Sequence, residues 1–352
     1  MKKVIIGIGL LLLFLSLQGC SSPKSDFTNA MKKLSANKQF TIDTKVKVNE
    51  VSSNYTEKLG INDLNTTEVD LKISADTMLQ TSGMDANVHW SNYSLHVQSL
   101  QNNRNGLIYI PVDIFYTIDP NIEDALGQTS KQVYHTVLDK NEDLQGKYLD
   151  FYSALQNISN QPIDKKTVQK QAKQINELEK ETGIALYEFM NQLDDDRFKT
   201  NEDGTVEISI HKEDFVTLSD KLLTAWDKNN AIVNLLSGQN DESTITAKKE
   251  WQNYQNSVRA YFKKLNADKN RKLDIRMRLV PDSDFGISKL TLDTDYENKA
   301  NNDHFNITTE LNWLPYEKVP AIPSSDEIVT KKELDKVISD GLKSYLQIEN
   351  NK

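Results

Sequence analysis

Three sets of residues in this chain have types that could do chemistry: one cysteine, five histidines and an acidic loop. Cys20 is the only cysteine among 352 residues, so the chain cannot form an internal disulfide or a multi-cysteine metal site. No two histidines have the i, i+4 spacing of a zinc protease, and no G-x-S-x-G or P-loop motif is present. We therefore expect no enzyme activity, no metal and no cofactor. The histidines are His89, His96, His135, His211 and His304.

The acidic loop at 139–150 comes nearest to a metal-binding motif. Asp139, Asn141, Asp143 and Asp150 occupy positions 1, 3, 5 and 12 of an EF-hand count, where oxygen ligands converge on calcium. The sixth position, which needs glycine for a sharp turn, is Leu144. The sequence therefore predicts a solvated acidic turn rather than a calcium site.

The N-terminus has the order of a secretory signal. Lys2 and Lys3 precede a largely apolar run, residues 4–17, which ends shortly before Cys20. A membrane-spanning helix needs about 20 apolar residues, more than this run supplies. We predict that residues 1–19 are a cleaved signal peptide, although an uncleaved anchor is the alternative.

The stretch Leu17-Gln18-Gly19-Cys20 resembles the lipobox of bacterial prolipoproteins, with Gln18 in place of the usual small residue. The resemblance implies cleavage between Gly19 and Cys20, a diacylglyceryl group on the Cys20 sulfur, and anchoring by acyl chains such as palmitate. Two acyl chains anchor a protein stably where one does not. The alternative is a plain signal peptide with an incidental cysteine. We expect an extracytoplasmic protein at the outer face of the cell membrane, and the Lys- and Asn-rich composition favours a Gram-positive envelope.

The charge of the chain limits its partners. The net charge is −9, and removal of residues 1–19 takes away two lysines and no acids, which makes it −11. Such a body is repelled by nucleic acid and by anionic lipid headgroups, so a lipid anchor rather than a basic patch would hold it at the membrane. Residues 20–25 are expected to form a polar tether and residues 26–352 the folded domain.

Hydrophobic periodicity predicts strands at both ends of the domain and helices in the middle. Apolar and polar residues alternate in 40–48, 69–79, 84–90, 93–100, 106–118, 147–152 and 205–211, and again in 273–279, 290–296 and 305–313. Helical spacing recurs in 25–34, 167–193, 215–226, 251–265 and 334–345. Pro111 removes a backbone donor, so the strand at 106–118 is expected at a sheet edge or with a bulge. Thr330 and Glu333 fit a capping box.

This order of elements predicts an α+β fold with one large, curved, half-barrel-like antiparallel sheet and helices packed on one face. Both strand sets offer an apolar surface that the helices need, which favours a single sheet. Two lobes divided near residue 160 are the alternative.

Aromatic residues are dense on two of the predicted helices. Trp251, Tyr254 and Phe262 follow helical spacing, and Trp226 ends the preceding helix. Such stripes usually pack in a core. The alternative is that some of them line an apolar cavity beneath the sheet.

The lipobox and the order of elements together resemble Gram-positive surface lipoproteins of unassigned function. More distantly they resemble the LolA-type and LppX-type lipoprotein and lipid carriers, which implies helices against the concave face of a half-barrel sheet. We expect a non-enzymatic lipoprotein that binds a lipid or other apolar ligand between sheet and helices. The alternative is a structural or interaction lipoprotein whose partner is another envelope protein, with no small ligand.

Overall fold

The computed structural model describes residues 22–52, 67–125, 127–159, 165–230, 232–234 and 241–350. This part of the chain contains one antiparallel sheet of eleven strands in the order β6-β5-β4-β3-β2-β1-β11-β10-β9-β8-β7, which is curved but not closed into a barrel. The predicted α+β fold with a curved antiparallel sheet is therefore confirmed. The strands are β1 Gln39–Val51, β2 Glu68–Asp76, β3 Thr81–Trp90, β4 Tyr93–Asn102, β5 Leu107–Pro111, β6 Tyr148–Asp150, β7 Phe198–Thr200, β8 Val206–His211, β9 Arg271–Asp282, β10 Gly286–Asn298 and β11 Asp303–Leu314.

The α-helices flank this sheet. They are α1 Pro23–Ala36, α2 Pro120–Ala125, α3 Gly127–Asp139, α4 Phe151–Ser159, α5 Lys165–Gln192, α6 Asp214–Asp227, α7 Asp241–Ala267 and α8 Lys331–Asn350. None of the helices in the described ranges is long and apolar enough to cross a membrane. The predicted signal peptide, with Gly19 and Cys20, lies outside the described residues.

The pairing of β1 with β11 joins the two strand sets. Thr44 lies opposite Leu311, and Ile42 lies opposite Trp313. The strands that precede residue 160 and those that follow it therefore belong to one continuous sheet.

The two faces of the sheet differ in chemistry because side chains alternate along each strand. One face carries cross-strand ion pairs, such as Lys45 with Asp70 at 3.0 Å, Arg278 with Asp293 at 2.7 Å and Lys289 with Glu310 at 2.9 Å. The other face carries valine, leucine, isoleucine and methionine. The core lies where helices cover this apolar face.

Helix α1 packs on the sheet as its sequence predicts. Phe27, Ala30, Met31 and Leu34 are buried and join residues of β8 to β11 in the largest core cluster. The helix begins at Pro23, with Ser22 as its N-cap, so the folded body starts three residues before the expected boundary at residue 26. Proline fits this first position because its missing N–H would have no helical partner there.

Several local predictions need correction around β5. The strand predicted at 106–118 ends at Pro111, because proline cannot donate to a ladder, and a 3₁₀ helix follows. Strand β6 pairs outside β5, so the expected edge position is wrong. The strand predicted at 147–152 ends at Asp150, whose carboxylate accepts backbone N–H groups of Tyr152 and Ser153 and starts helix α4.

The C-terminal helix begins as predicted. The backbone N–H of Thr330 donates to Glu333 Oε2 at 2.7 Å, and the backbone N–H of Glu333 donates to Thr330 Oγ1 at 3.2 Å. This reciprocal pair is a capping box. Lys147 Nζ also lies 2.5 Å from Glu333 Oε1, and these contacts lower the pKa of Glu333 to about 2.

Candidate apolar binding cavity

A cavity of about 560 Å³ lies between the apolar face of the sheet and three helices. Helices α1, α5 and α6 form one wall, and strands β8, β9 and β10 form the other. The volume falls within the range of about 300–1,000 Å³ that small-molecule sites occupy. Its lining is almost wholly apolar and includes Phe27, Ile175, Leu186, Trp226, Met277 and Leu290.

The path of helix α5 explains why this space is not filled. The helix has 28 residues and is therefore about 42 Å long at ~1.5 Å per residue. Near its start, Ala172 lies so close to Gly106, in the turn between β4 and β5, that a Cβ on that glycine would come within 2.6 Å of the Ala172 Cβ. Near its end, Phe189 and Met190 pack in the core cluster with α1 and β7 to β9. A long helix that packs at both ends against a curved sheet leaves a gap between the middle of the helix and the sheet.

The cavity is open to solvent along α5. Ile175 is 46% exposed and Leu186 is 38% exposed, although both line the cavity. Side chains of this type gain roughly 1.5–3 kcal/mol when they are fully buried. An apolar ligand in the cavity would supply that burial.

Two polar groups of the cavity wall are hydrogen-bonded within the protein, and Glu179 and Thr294 also belong to the lining. Trp226 Nε1 donates to Thr182 Oγ1 at 2.7 Å, and Thr182 Oγ1 donates to the carbonyl of Leu178 at 2.7 Å. A ligand with many polar groups would find few hydrogen-bond partners in such a lining and would lose free energy on desolvation there. This chemistry favours a hydrocarbon chain.

Of the four aromatic residues proposed from the sequence, Trp226 lines the cavity. Trp251 does not, because it is 5% exposed within a second cluster that includes Leu223 and Ala247. Its indole Nε1 donates to Asp227 Oδ1 at 3.0 Å. Trp251 is therefore an ordinary core residue of the α6–α7 pair.

The other two aromatic candidates also lie away from the cavity lining. Tyr254 is 54% exposed and stacks on Trp251 with ring centroids 5.6 Å apart. Phe262 is half-buried and stacks on Phe215 at 5.8 Å. The reason is that α7 packs outside α6 rather than against the sheet.

Most of the cavity residues were not predicted from the sequence as site residues. Ile175, Leu178 and Leu186 belong to the apolar stripe of α5, and Leu290 and Leu292 belong to the alternating pattern of β10. Both patterns show that a side chain faces inward. Neither pattern shows whether the inward space is filled by protein or left open, because that depends on the curvature of the sheet beneath the helix.

Two of the four candidate ligands of the acidic loop, Asn141 and Asp150, use their side chains within the protein's own structure. Asn141 is buried, its amide donates to the carbonyl of Val137 at 2.8 Å, and its Oδ1 accepts from Lys336 Nζ at 2.9 Å. Asp150 caps helix α4. Within the described ranges, no group of three histidine, cysteine or acidic side chains could hold a metal ion.

No protein-family model, curated protein or solved structure matches the chain. The cavity must therefore be interpreted from its own residues.

Proposed function

We propose that this protein is a membrane-anchored, extracytoplasmic lipoprotein that binds a lipid or another apolar ligand without catalysis. The ligand would lie in the cavity between the sheet and helix α5. Cys20 would carry the lipid anchor, and the outer face of the cell membrane would be its location. The observation that carries the proposal is an open cavity of about 560 Å³ whose lining is mostly apolar, with the Trp226 indole N–H and the Thr182 hydroxyl bonded within the protein.

The test is a titration of the purified full chain with a fluorescent fatty acid. We expect saturable binding by the wild type. Ile175→Trp places a bulky indole ring at a lining position that is already 46% exposed, so it should obstruct the cavity at little cost in stability. We expect its dissociation constant to rise about tenfold, which corresponds to about 1.4 kcal/mol of binding free energy.

The matched control is Ile245→Trp. Ile245 is 73% exposed on helix α7 and lies outside the cavity lining. It should bind the probe like the wild type. Absence of saturable binding to the wild type, or equal loss in both variants, would contradict the proposal.

A second candidate, an interaction lipoprotein with no small ligand, is favoured by the C-terminal helix. One face of α8 exposes Ile338, Leu342, Tyr345 and Leu346, with exposed fractions between 45% and 61%. These residues follow helical spacing, and exposed apolar patches of this kind often mark protein interfaces. Leu342→Glu should abolish binding of an envelope protein in a co-purification assay if this function is the main one, and it should leave fatty-acid binding unchanged.

A further inference from the structure

The apolar wall of the cavity continues across the sheet as two parallel rows of side chains. The register places Leu292 opposite Thr309, and the row then passes through Val46, Val69 and Val88 to Leu95 on β4. The neighbouring row runs from Leu290 through Leu311, Thr44, Leu71 and Ala86 to Val97. We call the members of these rows on β11, β1, β2, β3 and β4 the apolar track.

The β1 to β4 part of the track is not covered in the way that the core is covered. Val46, Val69 and Val88 are half-buried, and Leu95 is 41% exposed. In the described part of the chain, none of the track residues on these four strands belongs to a buried cluster. Among the described residues, these valines and Leu95 are therefore partly accessible on the face opposite the charged residues.

The length of the track indicates the size of what fits it. Five strand spacings separate β10 from β4, which amounts to about 24 Å at ~4.8 Å per spacing. The acyl chains of one leaflet span about 15 Å, half of a hydrocarbon core of ~30 Å. The cavity and the track together therefore exceed the length of one acyl chain.

Helix α5 relates the track to the cavity. One end of the helix lies at the β4–β5 turn, and the other lies at the core cluster beside β7 and β8. The strands that carry the track lie between these two points in the sheet order. A chain that leaves the cavity at Leu292 thus meets a mostly apolar surface on the same face, in which Thr309 and Thr44 are the two polar members.

The direction of the track argues against a peptide. It crosses the strands through their side chains rather than along a sheet edge, so an extended peptide would find no backbone partners for its own N–H and C=O groups. Each such group costs free energy when it is desolvated without a partner. A hydrocarbon chain has no such groups.

We infer that the ligand is a lipid with two acyl chains, one in the cavity and one on the apolar track. This inference rests on the proposed function and extends it from an apolar ligand in general to a diacyl lipid. A fatty acid would occupy the cavity alone.

The experiment compares two probes on the purified full chain: a fluorescent fatty acid and a diacyl phospholipid with one fluorescent chain. Val88→Glu places a carboxylate on the track, and a chain lying over it would have to desolvate that charge. We expect the dissociation constant of the diacyl lipid to rise about tenfold or more, whereas that of the fatty acid stays within about twofold. Leu95→Gln, at a site that is already 41% exposed, should act in the same direction and keeps the test valid if Val88→Glu is poorly folded.

The matched control is Val280→Glu. Val280 is half-buried on β9, where its position alternates with that of the core residue Leu279, so it lies on the opposite face. It should bind both probes like the wild type. Unchanged diacyl-lipid binding in both track variants, together with weakened binding in Ile175→Trp, would overturn the inference and leave the proposed function standing. No binding of either probe to the wild type would overturn the proposed function itself.

Discussion

Two tryptophans in neighbouring positions allow the cavity to be distinguished from the core. Trp251 is 5% exposed and donates a hydrogen bond to Asp227, whereas Trp226 is half-buried and has one side towards the cavity. Their ring centroids are 6.5 Å apart, so both belong to the same region of the fold. Replacement of each by alanine removes the same side chain from two different surroundings.

The expected free-energy losses differ because Trp251 is buried within a side-chain cluster, whereas the Trp226 ring lines the cavity. Trp251→Ala should lower the free energy of unfolding by about 4 kcal/mol, within the range of about 3–5 for buried aromatics. Trp226→Ala should cost about 2 to 3 kcal/mol, because the volume beside its ring is already empty and fewer contacts are lost. Fatty-acid affinity should change in the opposite order, with a loss of about tenfold for Trp226→Ala and no change for Trp251→Ala.

Urea unfolding followed by far-ultraviolet circular dichroism measures the stability of both variants without dependence on tryptophan fluorescence. The fatty-acid titration measures their affinity. Equal losses of stability combined with unchanged affinity in both variants would refute the assignment of Trp226 to a ligand cavity.

Four further predictions concern other parts of the molecule. The pKa of Glu333 in the folded protein lies below its usual value, at about 2, so its stabilising effect is present above about pH 4.5 and is lost as the pH falls towards 2. Glu333→Gln should therefore lower the free energy of unfolding by about 1 kcal/mol at pH 7 and by almost nothing near pH 2. Urea titrations at both pH values measure this difference. Gly106→Ala should lower the free energy of unfolding by about 2 kcal/mol or more in the same assay, because Gly106 has φ +74° and no room for a Cβ beside Ala172. Gly204→Ala, with φ +80° and open space around it, should lower it by about 1 kcal/mol. Cys20→Ala should abolish incorporation of a labelled fatty acid and membrane retention in cell fractionation, and equal retention would contradict the lipid-anchor proposal. Millimolar calcium should leave the melting temperature unchanged, since a ligand of the native state must raise it, and an increase that Asp139→Ala abolishes would contradict this.

Much of the sheet could be predicted because its strands have one apolar and one polar face. The three C-terminal runs were predicted as strands of an antiparallel sheet, and the structure pairs β9 with β10 and β10 with β11 in that way. The capping box at Thr330 and Glu333 also gave the start of α8 to within one residue. These signals are local, so tertiary context changes them little.

The failures follow from effects that periodicity does not contain. Alternating apolar residues continue past Pro111, but the missing N–H ends the strand there. Helix α3 was not predicted, and none of its residues is fully buried in the structure.

Of the four cavity candidates proposed from the sequence, one lies in the lining of the observed cavity. The prediction was based on the aromatic residues of α7, whereas the cavity is lined mainly by aliphatic residues of α5 and β10. Trp226 is the one predicted candidate in the lining. The cavity arises because α5 bridges a curved sheet between Gly106 and the α1 cluster. That arrangement depends on contacts between residues far apart in sequence, which no single stretch of sequence encodes.

The most direct test of the central claim is to locate the bound chain on the protein. Cells that produce the full chain would be grown with a fatty acid that carries a photoreactive diazirine and an alkyne. The cells would then be irradiated, and the cross-linked peptides would be identified by mass spectrometry. Cross-links within α5 around residues 175–190 and within β9 and β10 around residues 275–294 are the predicted result. Cross-links confined to the lipid anchor and to the exposed face of α8 would contradict the claim that this cavity binds an apolar ligand.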